Sequence, residues 1–324
     1  MASVSPRFDL SLGLEGTHVL VTGGCGLIGC VVVDAFLAAG ANVSVLDLGE
    51  VIAKREHYRG EESMYEGLAT ANLGFYGVDI REHESVAGAF ERAEGSGFGP
   101  VECCVALASL DLSSLPMSEG GICDADPEVW QSVFQTNISG TFLTAQRWLR
   151  GIRETLKEPG DASRLKNVGL IIMGSESGAF GVPGCPAYAA GKAAVQVGLL
   201  KSLARDMPKV YLKGRVNAVA PGAVDTVRFR EECERYPQEW VYAESEATVG
   251  GYLFNVWTCE EYSADGEMLL ALAKPVPPED VARTILFLAS ERWSGSTHGQ
   301  LLHVDGGKMG PLVWQPGEAK RARN

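Results

Sequence analysis

Tyr188 and Lys192 stand four residues apart in Pro186-Ala-Tyr-Ala-Ala-Gly-Lys-Ala-Ala-Val195, a spacing that puts a phenol and an ammonium on one face of a helix. Such a pair can move a proton. A nearby ammonium favours the phenolate, so the Tyr188 pKa is expected to fall from about 10 towards the working range of a neutral-pH acid or base. Alone, Tyr-x-x-x-Lys is common on helix surfaces, and its neighbours give it meaning. Thirteen residues before the tyrosine, the apolar run Gly169-Leu-Ile-Ile-Met-Gly174 reads as a buried strand that stops at Ser175. A serine just past a strand end lies at the carboxyl edge of the sheet, where ligands bind in open parallel folds. The connection from Glu176 to Gly184 has loop composition and is long enough to swing back. Ser175, Tyr188 and Lys192 are therefore expected in one cleft.

The elements that would hold a second reactant lie in the first fifty residues. His18-Val-Leu-Val-Thr22 reads as a short apolar strand, Gly23-Gly-Cys-Gly-Leu-Ile-Gly29 as a glycine-rich turn, and Cys30 to Ala39 as an apolar helix closed by Gly40. Glycines at 23, 26 and 29 permit a tight turn and close backbone approach, so that a pyrophosphate sits on the amides of the helix N-terminus. A second strand, Asn42-Val-Ser-Val-Leu46, ends in Asp47, 24 residues after Gly23. A carboxylate there accepts hydrogen bonds from both hydroxyls of an adenosine ribose and repels a 2′-phosphate, which favours NAD over NADP.

From about Gly16 to about Gly307 the chain resembles the short-chain dehydrogenase/reductase superfamily. The resemblance is carried, in order, by Thr22-Gly23, by Gly77-Val-Asp-Ile80 read as a third strand that Asp79 ends, and by Asn137 within Gln135-Thr-Asn-Ile-Ser-Gly-Thr-Phe142. Ser175 and Tyr188-x-x-x-Lys192 follow, then Arg215-Val-Asn-Ala-Val-Ala-Pro-Gly-Ala-Val-Asp-Thr226 and Gly299-Gln-Leu-Leu-His-Val-Asp-Gly-Gly307. It implies a catalytic tetrad of Asn137, Ser175, Tyr188 and Lys192. In reduction Tyr188 gives its proton to a carbonyl oxygen that Ser175 holds. Lys192 binds the nicotinamide ribose and stabilises the tyrosinate, and Asn137, at a helix irregularity, holds a water that refills the proton wire. For the cofactor it implies Thr22, Gly23, Gly26, Leu27, Ile28, Gly29 and Asp47 at the phosphate and ribose end. Asp79 and Ile80 stand beside the adenine, and Tyr188, Lys192, Pro221, Gly222, Val224 and Thr226 at the nicotinamide. The implied reaction is NAD-dependent hydride transfer between a secondary alcohol and its ketone. The implied assembly is a homodimer or homotetramer, paired through the Tyr188 helix and a long helix around Asp126 to Arg150.

Two features depart from the single-domain branch of that family. The spacing Gly-x-x-Gly-x-x-Gly belongs to the extended branch of epimerases and dehydratases, and Val105-Ala-Leu-Ala-Ser109 replaces Asn-Asn-Ala-Gly after the fourth strand. Ala108 and Ser109 are accordingly expected to offer only backbone groups. The Ser175-to-Tyr188 loop, the Val216-to-Gly222 segment and the His303-Val-Asp-Gly-Gly307 ending favour the single-domain branch. An NAD-using epimerase or dehydratase is the alternative enzyme, and an idle NAD-binding scaffold the alternative from another class; the intact Asn, Ser, Tyr and Lys set argues against the scaffold.

A chain of 324 residues with 46% hydrophobic content and alternating strands and helices implies one doubly wound α/β domain of Rossmann type, a central parallel sheet flanked by helices with an enlarged substrate lid. The expected boundaries are an extension at 1–15, the domain at 16–310 with its lid at about 224–275, and a tail at 311–324. With 28 basic against 41 acidic residues the formal charge is −13, which repels nucleic acid. Eight cysteines without a Cys-x-x-Cys pair read as reduced packing thiols, and five histidines without ligand spacing imply no metal. No apolar run suits a signal core or a bilayer span, so a cytoplasmic placement away from membranes is expected.

Segments 50–72 and 150–167 read as surface excursions without chemistry. The lid segment gathers Phe229, Tyr236, Trp240, Tyr242, Tyr252, Phe254, Trp257 and Tyr262, above the 8% aromatic content of the chain. These rings suit a cover over a sizeable apolar or aromatic small molecule, or equally the packing of the lid on the body or on another subunit. Residues 250–270 interrupt a direct join of the flanking segments and read as part of that lid or, more weakly, as a translated intron, which sequencing of the transcript would separate.

Overall fold

A computed structural model describes residues 9–55, 70–118, 120–157, 165–235 and 275–308. Short runs of apolar residues bounded by glycine and polar turns become strands β1 (His18–Thr22), β2 (Asn42–Asp47), β3 (Leu73–Gly77), β4 (Cys103–Ala106), β5 (Gly169–Met173), β6 (Arg215–Pro221) and β7 (Leu301–Val304). They pair in parallel in the order β3-β2-β1-β4-β5-β6-β7. Helices fill the crossovers: α1 (Leu27–Ala38), α2 (Gly49–Arg55), α3 (His83–Glu94), α4 (Pro127–Val133), α5 (Thr141–Thr155), α6 (Ser177–Phe180), α7 (Pro186–Ala193), α8 (Leu200–Val210), α9 (Val227–Arg235), α10 (Pro278–Ala289) and α11 (Glu291–Ser294). This is the doubly wound α/β arrangement. Because all strands run one way, every carboxyl end lies on one edge, and the strand order reverses between β1 and β4.

Burial on both faces explains why the strands read as continuous apolar runs. Successive side chains alternate across the sheet. Leu20, Cys104 and Ala106 pack with Phe90, Trp148 and Ile152 on one side, whereas Val19, Val21, Cys103 and Val105 pack with Val33, Phe36 and Ile285 on the other. Each fully buried Leu, Ile or Phe contributes about 1.5–3 kcal/mol. Cys103, Cys104 and Cys185 are buried, and burial pushes the Cys103 thiol up to about 12. They are packing residues.

Several local expectations shift. Strand β3 stops at Gly77, so Asp79 and Ile80 lie beyond the strand rather than at its end. Helix α1 starts at Leu27, three residues before the expected Cys30. The long helix expected around Asp126 to Arg150 is interrupted: a π-helical turn at Phe134–Gly140 joins α4 to α5, and a second, Ala194–Leu199, joins α7 to α8. Part of the 150–167 excursion is simply the last turn of α5. Residues 9–14 lie on the body: Leu14 is fully buried, Ser290 Oγ donates to Leu12 O at 2.5 Å and Trp293 Nε1 to Ser11 O at 2.9 Å. Of the expected lid, Val224 to Arg235 and Pro275 are described. Tyr236, Trp240, Tyr242, Tyr252, Phe254, Trp257, Tyr262 and the 250–270 segment lie outside the described residues.

Candidate active site

The crevice between β1 and β4 is built by Thr22 and the glycine turn. Thr22 is buried, and its hydroxyl accepts hydrogen bonds from Leu107 N and Ala108 N, both at 3.2 Å. It ties the end of β1 to the loop after β4. Gly23 follows at φ +69°, a conformation that favours glycine, and a Cβ there would come 2.8 Å from Ala108 Cα. A Cβ at Gly29 would drive into the Gly23 carbonyl oxygen. No side chain caps α1 and its first turn carries no acidic residue, so the amides of Leu27, Ile28 and Gly29 stand at the open positive end of the helix dipole. That donor set fits the pyrophosphate of a dinucleotide.

Asp47, the last residue of β2, adjoins this turn: its Oδ2 accepts from Cys25 N at 3.0 Å and its Oδ1 from Leu48 N at 2.8 Å. Burial raises its pKa, and the two backbone donors oppose the rise. Asp79 is differently engaged. Arg81 donates to its two oxygens, Nε to Oδ1 at 2.9 Å and the terminal nitrogen to Oδ2 at 2.6 Å, and holds the carboxyl below its usual range. Ile80 is buried against Gly140, where a Cβ would come 2.6 Å from Ile80 Cδ1.

Ser175, two residues past β5, is held by its backbone N–H, which donates to Gln196 Oε1 at 2.8 Å from the π turn after α7. The Ser175 hydroxyl accepts from Ser177 N at 3.2 Å and faces the Tyr188 phenol, whose pKa it acts to lower. Lys192, one turn on along α7, places its ammonium 5.6 Å from the centre of the Tyr188 ring. It donates to Ser109 Oγ and to Met173 O, each at 3.2 Å. The three expected groups thus lie beside one another.

Their electrostatics differ from expectation. Burial pushes the Tyr188 phenol up, the Asp111 charge adds to the rise, and the Ser175 hydrogen bond opposes it. Burial also draws Lys192 down to about 8. Desolvation of the phenol outweighs the ammonium, so the expected fall of the Tyr188 pKa is corrected to a rise.

Asn137 sits in the π turn between α4 and α5. Its side chain clasps one residue of the β4 loop: Oδ1 accepts from Leu110 N at 2.7 Å and Nδ2 donates to Leu110 O at 3.1 Å. Its carbonyl accepts from Thr141 Oγ1 at 2.7 Å. Asn137 therefore fixes the loop that presents Ser109 to Lys192, and Ser109 contributes its side chain rather than only its backbone.

Opposite, Pro221 is the buried last residue of β6, and Gly222 N donates to Val304 O at 2.9 Å. Val224 bridges Val276, and Thr226 Oγ1 accepts from Phe229 N at 3.2 Å in the first turn of α9. Phe229 is half-buried there. The roles of the Ser109 side chain, of Asp111, of Gln196 and of a buried Glu176–Lys308 pair escaped the sequence: Ser109 meets Lys192 across 83 residues and Lys308 meets Glu176 across 132. Among the described residues no cluster of His, Cys, Asp or Glu could hold a metal ion.

A glycine turn at the switch point with a serine, a buried tyrosine and a lysine on the neighbouring edge is an arrangement of Rossmann-type oxidoreductases. A family model described as short chain dehydrogenase matches residues 17–236, and the chain belongs to that family, whose members use nicotinamide cofactors. It is 28% identical to 2-(S)-hydroxypropyl-CoM dehydrogenase 3 of Xanthobacter autotrophicus over 92% of this chain and 98% of the relative. It is 30% identical to 3beta-hydroxysteroid dehydrogenase 1 of Eggerthella lenta, over 91% and 94% of the two chains. A short-chain type dehydrogenase/reductase from Mycobacterium marinum shares the fold with a TM-score of 0.67 at 22% identity, covering 92% of this chain and 96% of that one. An oxidoreductase role follows from these relatives.

Proposed function

We propose that this protein is an NAD-dependent oxidoreductase that transfers a hydride between nicotinamide and a secondary alcohol or its ketone, with a sizeable apolar or aromatic small molecule as substrate. The observation that carries the reading is the convergence of Ser175, Tyr188 and Lys192 beside the crevice that Gly23, Gly29 and Asp47 build. The bound cofactor supplies or accepts the hydride. The amides of Leu27 to Gly29 hold its pyrophosphate, and the Asp47 carboxylate takes the ribose hydroxyls and disfavours a 2′-phosphate. Asp79 and Ile80 stand on the adenine side; Pro221, Gly222, Val224 and Thr226 wall the nicotinamide side.

In reduction Tyr188, kept protonated by burial, gives its proton to the carbonyl oxygen while Ser175 holds that oxygen. Lys192 holds the nicotinamide ribose and favours the tyrosinate that forms. Asn137 holds a water that refills the proton wire. The hydroxysteroid in one relative's name supports a bulky cyclic substrate. A dimer or tetramer through α5 and α7–α8 is part of the reading, supported by Phe142 and Val197, which expose 43% and 51% of their surface on those helices. The glycine spacing supports a second reading, an epimerase or dehydratase without net cofactor turnover.

Fluorescence titration with NADH and NADPH, followed by a panel of cyclic and aromatic ketones, tests the proposal. Tighter NADH and net NADH oxidation are expected. Tighter NADPH removes the role given to Asp47, and cofactor binding without net oxidation moves the reading to the epimerase.

A further inference from the structure

Glu176 follows Ser175 directly and forms a buried ion pair with Lys308, whose Nζ donates to Glu176 Oε1 at 3.1 Å while 1% and 8% of the lysine and glutamate side chains are exposed. Charges so far from water persist only when matched. Lys308 arrives from the segment after β7, 132 residues further along the chain. Backbone contacts converge on the same place. Glu176 N donates to Pro221 O, and Gly222 N to Val304 O, each at 2.9 Å. A Cβ at Gly222 would come 2.9 Å from Asp305 Cα and 3.0 Å from Glu176 Oε2. The Ser175 loop, the Pro221–Gly222 turn and the Asp305–Lys308 segment therefore meet at one junction.

We propose that Glu176 and Lys308 are positioning residues of the active site: their ion pair locks the Ser175 loop to the nicotinamide-side turn and balances a charge that Tyr188 would otherwise meet. This rests on the reading of Ser175 and Tyr188 as the proton-transfer groups. Among the described residues, the groups facing Tyr188 are Ser175 and Glu176 from the loop after β5, Asp111 from the loop after β4, and Cys185 and Lys192 around its own helix. Of these, Glu176 is the carboxylate that carries a buried cation.

Lys308→Met, Glu176→Gln and the double variant test the pair. Each is titrated with whichever of NADH and NADPH the unmodified protein binds, and each is assayed for alcohol oxidation against pH. Each single change is expected to weaken cofactor binding by about tenfold, and the double variant to recover most of that loss, because neither charge of the pair is then left without the other. The midpoint of the oxidation profile moves up in Lys308→Met, where the carboxylate loses the Lys308 charge, down in Glu176→Gln, and back in the double variant. Midpoints that move the same way in both single variants, or binding losses that simply add in the double, overturn the proposal. If Lys308→Met does not fold, Glu176→Gln and the double variant carry the same comparison. The binding cycle needs no turnover, so a protein that binds cofactor but oxidises no alcohol refutes the oxidoreductase reading while the cycle still decides on the pair.

Discussion

In the proposed mechanism Tyr188 has two opposed requirements, an acid in one direction and a base in the other, and its burial tips it towards the acid. A phenol whose pKa is raised stays protonated through neutral pH. Ketone reduction is therefore expected to hold its rate across neutral pH and to fall only in alkali, whereas alcohol oxidation, which needs the phenolate, rises with pH. Rate profiles in both directions check this, and an oxidation rate that falls as pH rises contradicts it. Ser175, Tyr188 and Lys192 were legible because they lie close along the chain, on one strand end and one helix. Ser109 was not: it meets Lys192 across 83 residues. The sense of the Tyr188 shift was also hidden, because spacing reports proximity of the ammonium but not how much water the fold removes.

At the scale of elements, α1 and its turn carry two expectations. A methyl at Gly29 meets the Gly23 carbonyl, so Gly29→Ala is expected to lose about 1–3 kcal/mol of stability and most nicotinamide-cofactor affinity. Thermal unfolding and fluorescence titration check it; wild-type affinity would remove the turn from the cofactor site. Asp34, on the same helix, buries its Oδ1 without a hydrogen-bond partner among the described residues. Burial lifts its pKa from 3.8 to about 6. Between those values the folded state binds more protons than the unfolded chain, so this carboxyl makes stability fall as pH rises through that window. Asp34→Asn is expected to raise Tm by about 1–2 °C at pH near 7 and by nothing near pH 4. A gain at pH 4 equal to that at pH 7 contradicts the cause. Strands were readable as apolar runs because both sheet faces are covered. The π turn at Ala194–Leu199 was not, since its apolar spacing matches that of the α-helix around it, whereas the one at Phe134–Gly140 agrees with the irregularity that the family resemblance implies at Asn137.

For the whole molecule, the sheet order places the β1–β4 reversal and the β5 edge side by side, so the glycine turn and the Ser175–Tyr188–Lys192 group come together. Alternating strands and helices made the doubly wound arrangement legible, whereas the Glu176–Lys308 contact depends on where β7 ends and left no mark in spacing. The outer face of α5 and of the helix joining α7 to α8 carries Phe142 and Val197. Val197→Glu is expected to yield a monomer by sedimentation, with the oligomer retained by the unmodified chain; a monomeric unmodified chain refutes the proposed assembly. The chemistry itself rests on one hydroxyl. The most direct measurement is NADH binding and ketone-dependent NADH oxidation by Tyr188→Phe beside the unmodified protein. Nearly unchanged NADH affinity with turnover lost by about a hundredfold or more is the expected result, and turnover equal to that of the unmodified protein would contradict the assignment of Tyr188 as the proton donor.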